Sequence, residues 1–331
     1  MLRFLLAILI LIGVAAAGAF FYAHHQWTAA GPLAEDANVL IPEGATQTDA
    51  AAELQRAGVI ADVDRFRIYA RLFGGDTPVK AGEFEMPAGT SASAALDILQ
   101  SGKPVQRAVT IPEGLPSVLV QESIMAAPFL TGTVAVPVEG SVLPATYNYQ
   151  RGETRQALLD RMQQAMTDYL AQACKPDPAG ICTARSENSP VATPLQVVTL
   201  ASIVEKETAD PSERPMIAGV YANRLERGIM LQADPTIIYP ITKGKPLGRR
   251  ILRSEIRAVN DYNTYAMAGL PKGPIANPGR ESIEAVLHPA ETEALYFVAD
   301  GTGGHVFSNT LDEHNRNVRK WYDIRRERGE M

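Results

Sequence analysis

Two glutamates, Glu205 and Glu207, close an apolar helix-forming run that starts at Thr193. A carboxyl held against a hydrophobic face is poorly solvated when charged, so its pKa rises and it can serve as a general acid near neutral pH. At about 100° per residue, Val197, Leu200, Ile203, Val204 and Glu207 share one stripe, whereas Glu205 points aside with Val198 and Ala201. Glu207 is therefore the candidate catalytic residue. Glu205 is the fallback, should the helix be rotated from the ideal pattern. The competing reading leaves Glu207 in water at a fraying helix end, just before Asp210-Pro211.

Further along, Met230 to Tyr239 places an amide, an acid and a phenol, Gln232, Asp234 and Tyr239, in a short segment broken by Pro235. The loops that follow carry Asn263 and Tyr265, then Asn277 in a stretch too rich in Gly and Pro for helix or central strand. Such side chains supply donors and acceptors to the hydroxyl and acetamido groups of a saccharide. The plainer alternative is that they satisfy their own loop backbone.

Other chemistries find little support. Two cysteines and five scattered histidines form no metal-ligand spacing, and His305 and His314 read as structural hydrogen-bonders. There is no Gly-x-Ser-x-Gly and no Walker-type loop. A net charge of -6 over 331 residues gives no nucleic-acid footprint. No cofactor is implied.

The elements that must position the acids are well signalled. Thr193 is a good N-cap, Pro194 fits the first helical position, and Gln196 stands where a capping-box side chain reaches back. A second helix over Pro215 to Glu226 places Ile217, Val220, Tyr221 and Leu225 on one stripe and should pack beside the first. Tyr296 to Gly301 and His305 to Phe307 predict a hairpin, and Leu311 to Arg328 a charged surface helix with Val318 and Trp321 inward.

Phe4 to Ala23 holds no charged residue, close to the ~20 residues that span a bilayer as a helix. Arg3 precedes it, which puts the N-terminus in the cytoplasm and the body outside. A cleaved signal peptide is the competing reading, because Ala15 to Ala19 offers small-residue sites. In an oxidising compartment Cys174 and Cys182 would pair and staple a Pro/Gly loop.

The expected organisation is α+β: an anchor at 1–23, a linker at 24–36, a small module at 37–107 and a catalytic domain at 108–331. The module holds a weak repeat of strand, Pro-x-Gly turn and helix, at Val39 to Gly58 and again at Phe84 to Gly102. It resembles the LysM-like subdomain of certain cell-wall enzymes, with a spacer domain lacking ligand affinity as the competing reading.

A wider resemblance rests on Ala201-Ser202-Ile203-Val204-Glu205-Lys206-Glu207-Thr208, Leu231 to Tyr239, Tyr262-Asn263-Thr264-Tyr265, Pro274 to Gly279, and Tyr296 to Asp300 with Gly303-Gly304-His305. In order and spacing these blocks resemble the MltG, or YceG-like, endolytic murein transglycosylases. The resemblance implies that the second glutamate of Glu-Lys-Glu, here Glu207, is catalytic. It also implies that Gln232, Asp234, Asn263, Tyr265 and Asn277 line a groove for peptidoglycan glycan strands. The implied reaction cleaves the β-1,4 bond between N-acetylmuramic acid and N-acetylglucosamine, leaving a 1,6-anhydromuramyl end. An inner-membrane protein with a periplasmic body, working beside peptidoglycan synthases (penicillin-binding proteins), is the implied setting. Two positions depart from the family pattern: Ala145 stands where Pro-Asp-Thr-Tyr has its acid, and Lys272 replaces a frequent proline. The rivals are a hydrolytic muramidase using Asp234 as second carboxylate, and a non-catalytic wall-binding scaffold.

Overall fold

The computed structural model describes residues 2–75 and 77–329. The chain divides into two compact units, Met1–Arg107 with Asn148–Gly152, and Ala108–Tyr147 with Glu153–Met331.

The first unit opens with helix α1 (Leu2–Thr28), long and apolar enough to cross a membrane. Strand β1 (Ala37–Ile41) pairs antiparallel with β2 (Gly82–Met86), in register from Ala37 opposite Met86 to Ile41 opposite Gly82. Between them lie α2 (Gln47–Arg56) and α3 (Val63–Phe73), and α4 (Ala92–Ser101) follows β2. Each starts where a side chain caps it: Thr46 forms a capping box with Asp49, and Asp62 and Ser91 accept from the third residues of their helices. Alternate strand residues Val39, Ile41, Phe84 and Met86 bury against Leu54, Phe66, Leu96 and Leu99.

Two features differ from expectation. The linker over 24–36 is not a free stalk: α1 runs on to Thr28, and Trp27, 3% exposed, joins this core. Beyond it, Gly31 donates to Gly89, Gly89 to Leu33, and Ala88 to the Asp36 carboxylate, so the segment is stitched to the Pro87-Thr90 turn. Helix α3 was not foreseen. Only Phe66 and Ala70 of it are buried, and three arginines interrupt its apolar period.

Strands β3 (Arg107–Thr110) and β4 (Thr146–Tyr149) form a second pair. Helices α5 (Ser117–Ala126) and α6 (Arg155–Cys174) lead to α7 (Pro194–Glu207), the axis of the second unit. The α7 start is as expected, with Pro194 in the first turn and a Thr193–Gln196 capping box. Its burial is broader than one stripe, for every residue from Val197 to Val204 is buried. Each buried Val, Leu or Ile contributes about 1.5–3 kcal/mol. A helix covered on all sides carries any polar group at its end into the interior.

The covering elements are α8 (Arg214–Glu226), α9 (Asp234–Thr242), the short α10 (Arg253–Ile256) and α11 (Arg280–Leu287). The hairpin of β5 (Tyr296–Ala299) and β6 (His305–Ser308) and the surface helix α12 (Leu311–Glu327) complete the unit. Cys174 and Cys182 form a disulfide that closes the loop after α6.

Candidate active site

The last turn of α7 delivers two carboxylates to two different surroundings. Glu205 is spent on structure. Its Oε1 takes a bond from Arg214 at 3.1 Å, and its Oε2 accepts from the Gly279 N–H at 3.0 Å and the Ser282 hydroxyl at 2.7 Å. The two side chains of the ion pair are 6% and 7% exposed. The Glu113 carboxylate packs directly on Gly279, so a Cβ there would have to displace that side chain. The fallback acid thus ties α7 to α8 and α11.

Glu207 is half-buried and, among the described residues, has one hydrogen-bond partner, the Tyr221 hydroxyl, which donates to Oε1 at 2.9 Å. Tyr221 is buried in α8, edge-on to Phe297. Burial pushes the Glu207 carboxyl up to about 7 and the nearby Asp234 charge adds to this, outweighing the Tyr221 bond and the positive charges of His305 and Arg224. The turn beyond is fixed by Glu213, which accepts from the Thr208 hydroxyl at 3.0 Å and the His305 N–H at 2.6 Å, and meets His305 Nδ1 at 2.8 Å. Burial alone would raise Glu213, but these bonds hold it below its usual value.

Glu207 opens into a cavity of about 270 Å³ lined by Tyr221, Arg224, Leu231, Gln232, Asp234, Tyr265, Phe297 and His314. Asp234 begins α9, where a negative charge suits the helix dipole, and accepts from the Tyr265 hydroxyl at 2.7 Å. Burial and that carboxylate push the Tyr265 phenol up. A buried threonine pair sets this edge: Thr236 and Thr264 hydroxyls meet at 2.8 Å, and Thr264 accepts from the Ala233 N–H and, through its carbonyl, from the Gln232 N–H. Gln232 sits at φ 52, an uncommon left-handed conformation for a non-glycine residue.

Three expected groove residues lie elsewhere. Asn263 is fully buried, its amide donating to the Glu255, Ile256 and Ala258 carbonyls while its oxygen accepts from the Tyr265 N–H. Asn277 is equally buried, bonded to the Leu115 carbonyl, the Ser117 hydroxyl and the Val142 N–H. Both amides brace loops, because a buried amide must find partners and the nearest are backbone. Tyr239 packs against Tyr262 with ring centres 4.8 Å apart and planes tilted by 48°, and lines a separate, more apolar cavity.

Three cavity residues were not singled out as site residues. Arg224 is held by the Leu295 and Leu231 carbonyls at 2.6 and 2.7 Å and lies over the Tyr296 ring. It stands three residues after Tyr221, so the two share a face of α8, and that spacing was a readable signal. His314 stacks on Tyr296, and its buried Nδ1 has no hydrogen-bond partner among the described residues. Burial and Arg224 lower its pKa, favouring the neutral ring. Phe297 supplies an apolar wall. Among the described residues no cluster of His, Cys, Asp or Glu could hold a metal ion.

Comparisons with known proteins place these features in a family. The sequence profile of the YceG-like family matches residues 39–320. An endolytic murein transglycosylase of Streptococcus pneumoniae is 31% identical over 95% of this chain and 64% of its own length. The chain thus spans under two thirds of that relative. An endolytic murein transglycosylase of Bacillus subtilis is 28% identical over 88% of this chain and 86% of its own. The crystal structure of a YceG-like protein from Listeria monocytogenes is 27% identical, covers 86% of this chain and 99% of its own, and superposes with a TM-score of 0.49.

Proposed function

The chain belongs to the YceG-like family, and from that premise we propose that it is an endolytic lytic transglycosylase of peptidoglycan with Glu207 as its acid and base. The observation that carries this reading is a carboxyl with no direct cation partner among the described residues, facing a polar cavity and held near the protonation midpoint at neutral pH. Tyr221 donates to Oε1, so the proton of the acid form is left to Oε2, which has no partner among the described residues.

That proton passes to the glycosidic oxygen between N-acetylmuramic acid and N-acetylglucosamine as the C1–O bond breaks. The carboxylate so formed takes the proton of the muramyl C6 hydroxyl while that oxygen bonds to C1, closing the 1,6-anhydro ring. Proton and bond counts balance, no water is consumed, and Glu207 ends as it began. Asp234, Tyr265, Gln232 and Arg224 supply fixed hydrogen-bonding groups to sugar hydroxyls and acetamido groups along the cavity.

In this reading α1 anchors the protein in the inner membrane with its N-terminus in the cytoplasm and the body in the periplasm. The enzyme ends nascent strands beside peptidoglycan synthases. The 37–107 module serves as a LysM-like glycan contact; the repeated strand-to-helix steps β1–α2 and β2–α4 support that assignment.

Asp234 in the same cavity supports a second reading, a muramidase in which it activates water. Mass spectrometry of glycan strands digested by the protein separates the two. Anhydromuramyl ends are expected; reducing ends would establish hydrolysis, and no cleavage would leave a binding scaffold.

A further inference from the structure

Within the first unit α1 does not end at the membrane and hand over to a flexible tether. Its last turns pack along α3, with Trp27 against Phe66 at 5.5 Å between ring centres, and Phe73 against His24 and Phe20 at 5.5 and 5.4 Å. The order of these contacts sets the direction of α3: its start lies beside the emerging end of α1, and its tip beside Phe20. The uncharged span of α1 closes at Ala23, so Phe20 lies roughly 5 Å inside that span, at 1.5 Å per residue. If α1 crosses a bilayer, the tip of α3 stands at the level where hydrocarbon meets headgroups.

The exposed side of α3 suits that level. Ile68 and Leu72, one turn apart on the same face, are 57% and 63% exposed. Arg65, Arg67 and Arg71 surround them against Asp64 on the same helix, which among the described residues pairs with Arg67 at 3.5 Å. Arg71, beside Leu72, has no side-chain partner among the described residues. Apolar residues flanked by arginines on one helix are the composition of an interfacial helix, whose long cations reach back to phosphate while the apolar groups sink. Tyr22 and Tyr69 add aromatic groups of the kind that settle at headgroup depth.

We propose that the tip of α3, through Ile68, Arg71 and Leu72, docks into the anionic headgroup layer of the same bilayer that α1 crosses. The first unit is thereby seated on the membrane by two contacts, a span and an interfacial wedge. The proposal rests on α1 being a membrane span and is independent of the reaction at Glu207. Each arginine near an anionic surface strengthens such docking roughly fivefold.

The test uses the full chain in nanodiscs containing phosphatidylglycerol, with a fluorophore on Leu72→Cys or, as reference, on Ile10→Cys; Cys174 and Cys182 are bonded to each other and do not compete. The Ile10 label should be quenched by deeply brominated lipid. The Leu72 label should be quenched by shallowly brominated lipid and protected from aqueous iodide. Adding Arg71→Glu, or replacing phosphatidylglycerol with phosphatidylcholine, should weaken that lipid quenching severalfold. A Leu72 label open to iodide and untouched by lipid, with Ile10 still in lipid, overturns the docking alone. A Leu72 label shielded from both quenchers overturns it in favour of a protein partner. An Ile10 label open to iodide removes the span and the docking with it.

Discussion

Glu205 and Glu207 are separated by one lysine on the last turn of α7, yet their surroundings are opposites. Around Glu205 a guanidinium, a backbone N–H and a serine hydroxyl occupy both oxygens. Around Glu207 there is one tyrosine hydroxyl and an open cavity. Both carboxylates are taken out of bulk water, so burial alone does not make a catalytic acid. What differs is compensation: a buried carboxylate bonded directly to a cation becomes a tie between helices, and one whose nearby cations make no direct bond to it holds its proton into the neutral range.

Activity should break this comparison most sharply. Glu207→Gln keeps the side-chain shape and removes the proton, and should lower turnover on glycan strands by ~10²- to 10⁴-fold. Release of anhydromuramyl ends measures it. Glu205→Gln should retain the reaction wherever the protein is still folded.

Stability should move in opposite directions for the same two substitutions. Losing Glu205 strips a buried guanidinium of its inward partner and should cost about 3 kcal/mol, since Glu113 and Glu281 still reach Arg214. Glu207 binds its proton more tightly folded, near 7, than unfolded, near 4.5. Its contribution is therefore complete below pH 4.5 and is lost as pH rises to 7, about 3 kcal/mol in all. Glu207→Gln cannot ionise, so it should be more stable than wild type at pH 8 and no more stable at pH 4.5. Denaturant melts at both values decide; equal destabilisation by both substitutions at pH 8 would erase the distinction.

Smaller effects refine the Glu207 side. Tyr221→Phe removes a bond that favours the charged carboxylate, so the alkaline limb of the pH–rate profile should move to higher pH, with kcat/KM falling ~10-fold. Asp234→Asn removes a like charge and should move that limb to lower pH, with a loss of only a few-fold and anhydro products retained. A shift of both limbs in one direction would show that the variants act through folding and not through Glu207.

The sequence made the α7 helix, its cap and the inequality of its two acids readable, because all three depend on local spacing. Ideal helical geometry distinguishes Glu207 from Glu205, but it reads the Glu205 side as merely different, whereas α7 is covered all round and the Glu205 side chain is only 6% exposed. Nothing local reveals that Arg214, Gly279 and Ser282 converge there from two other helices. The same limit explains Asn263 and Asn277: an asparagine in a loop reads alike whether its amide faces sugar or backbone, and only tertiary contacts choose. Arg224 was within reach through its spacing from Tyr221, whereas His314, brought in by α12 from the far end of the chain, had no local signal. The segment at 24–36 reads as a linker, yet it packs onto the first unit, because small polar residues describe a packed edge as readily as a tether.

The most direct test of the central distinction is a ¹³C titration of the glutamate side-chain carboxyls in the labelled protein, repeated on Glu207→Gln and Glu205→Gln. One carboxyl titrating near pH 7 is expected, absent from the Glu207 variant and present in the Glu205 variant. No carboxyl titrating near neutrality, or one that disappears with Glu205 instead, would contradict the assignment of the two acids.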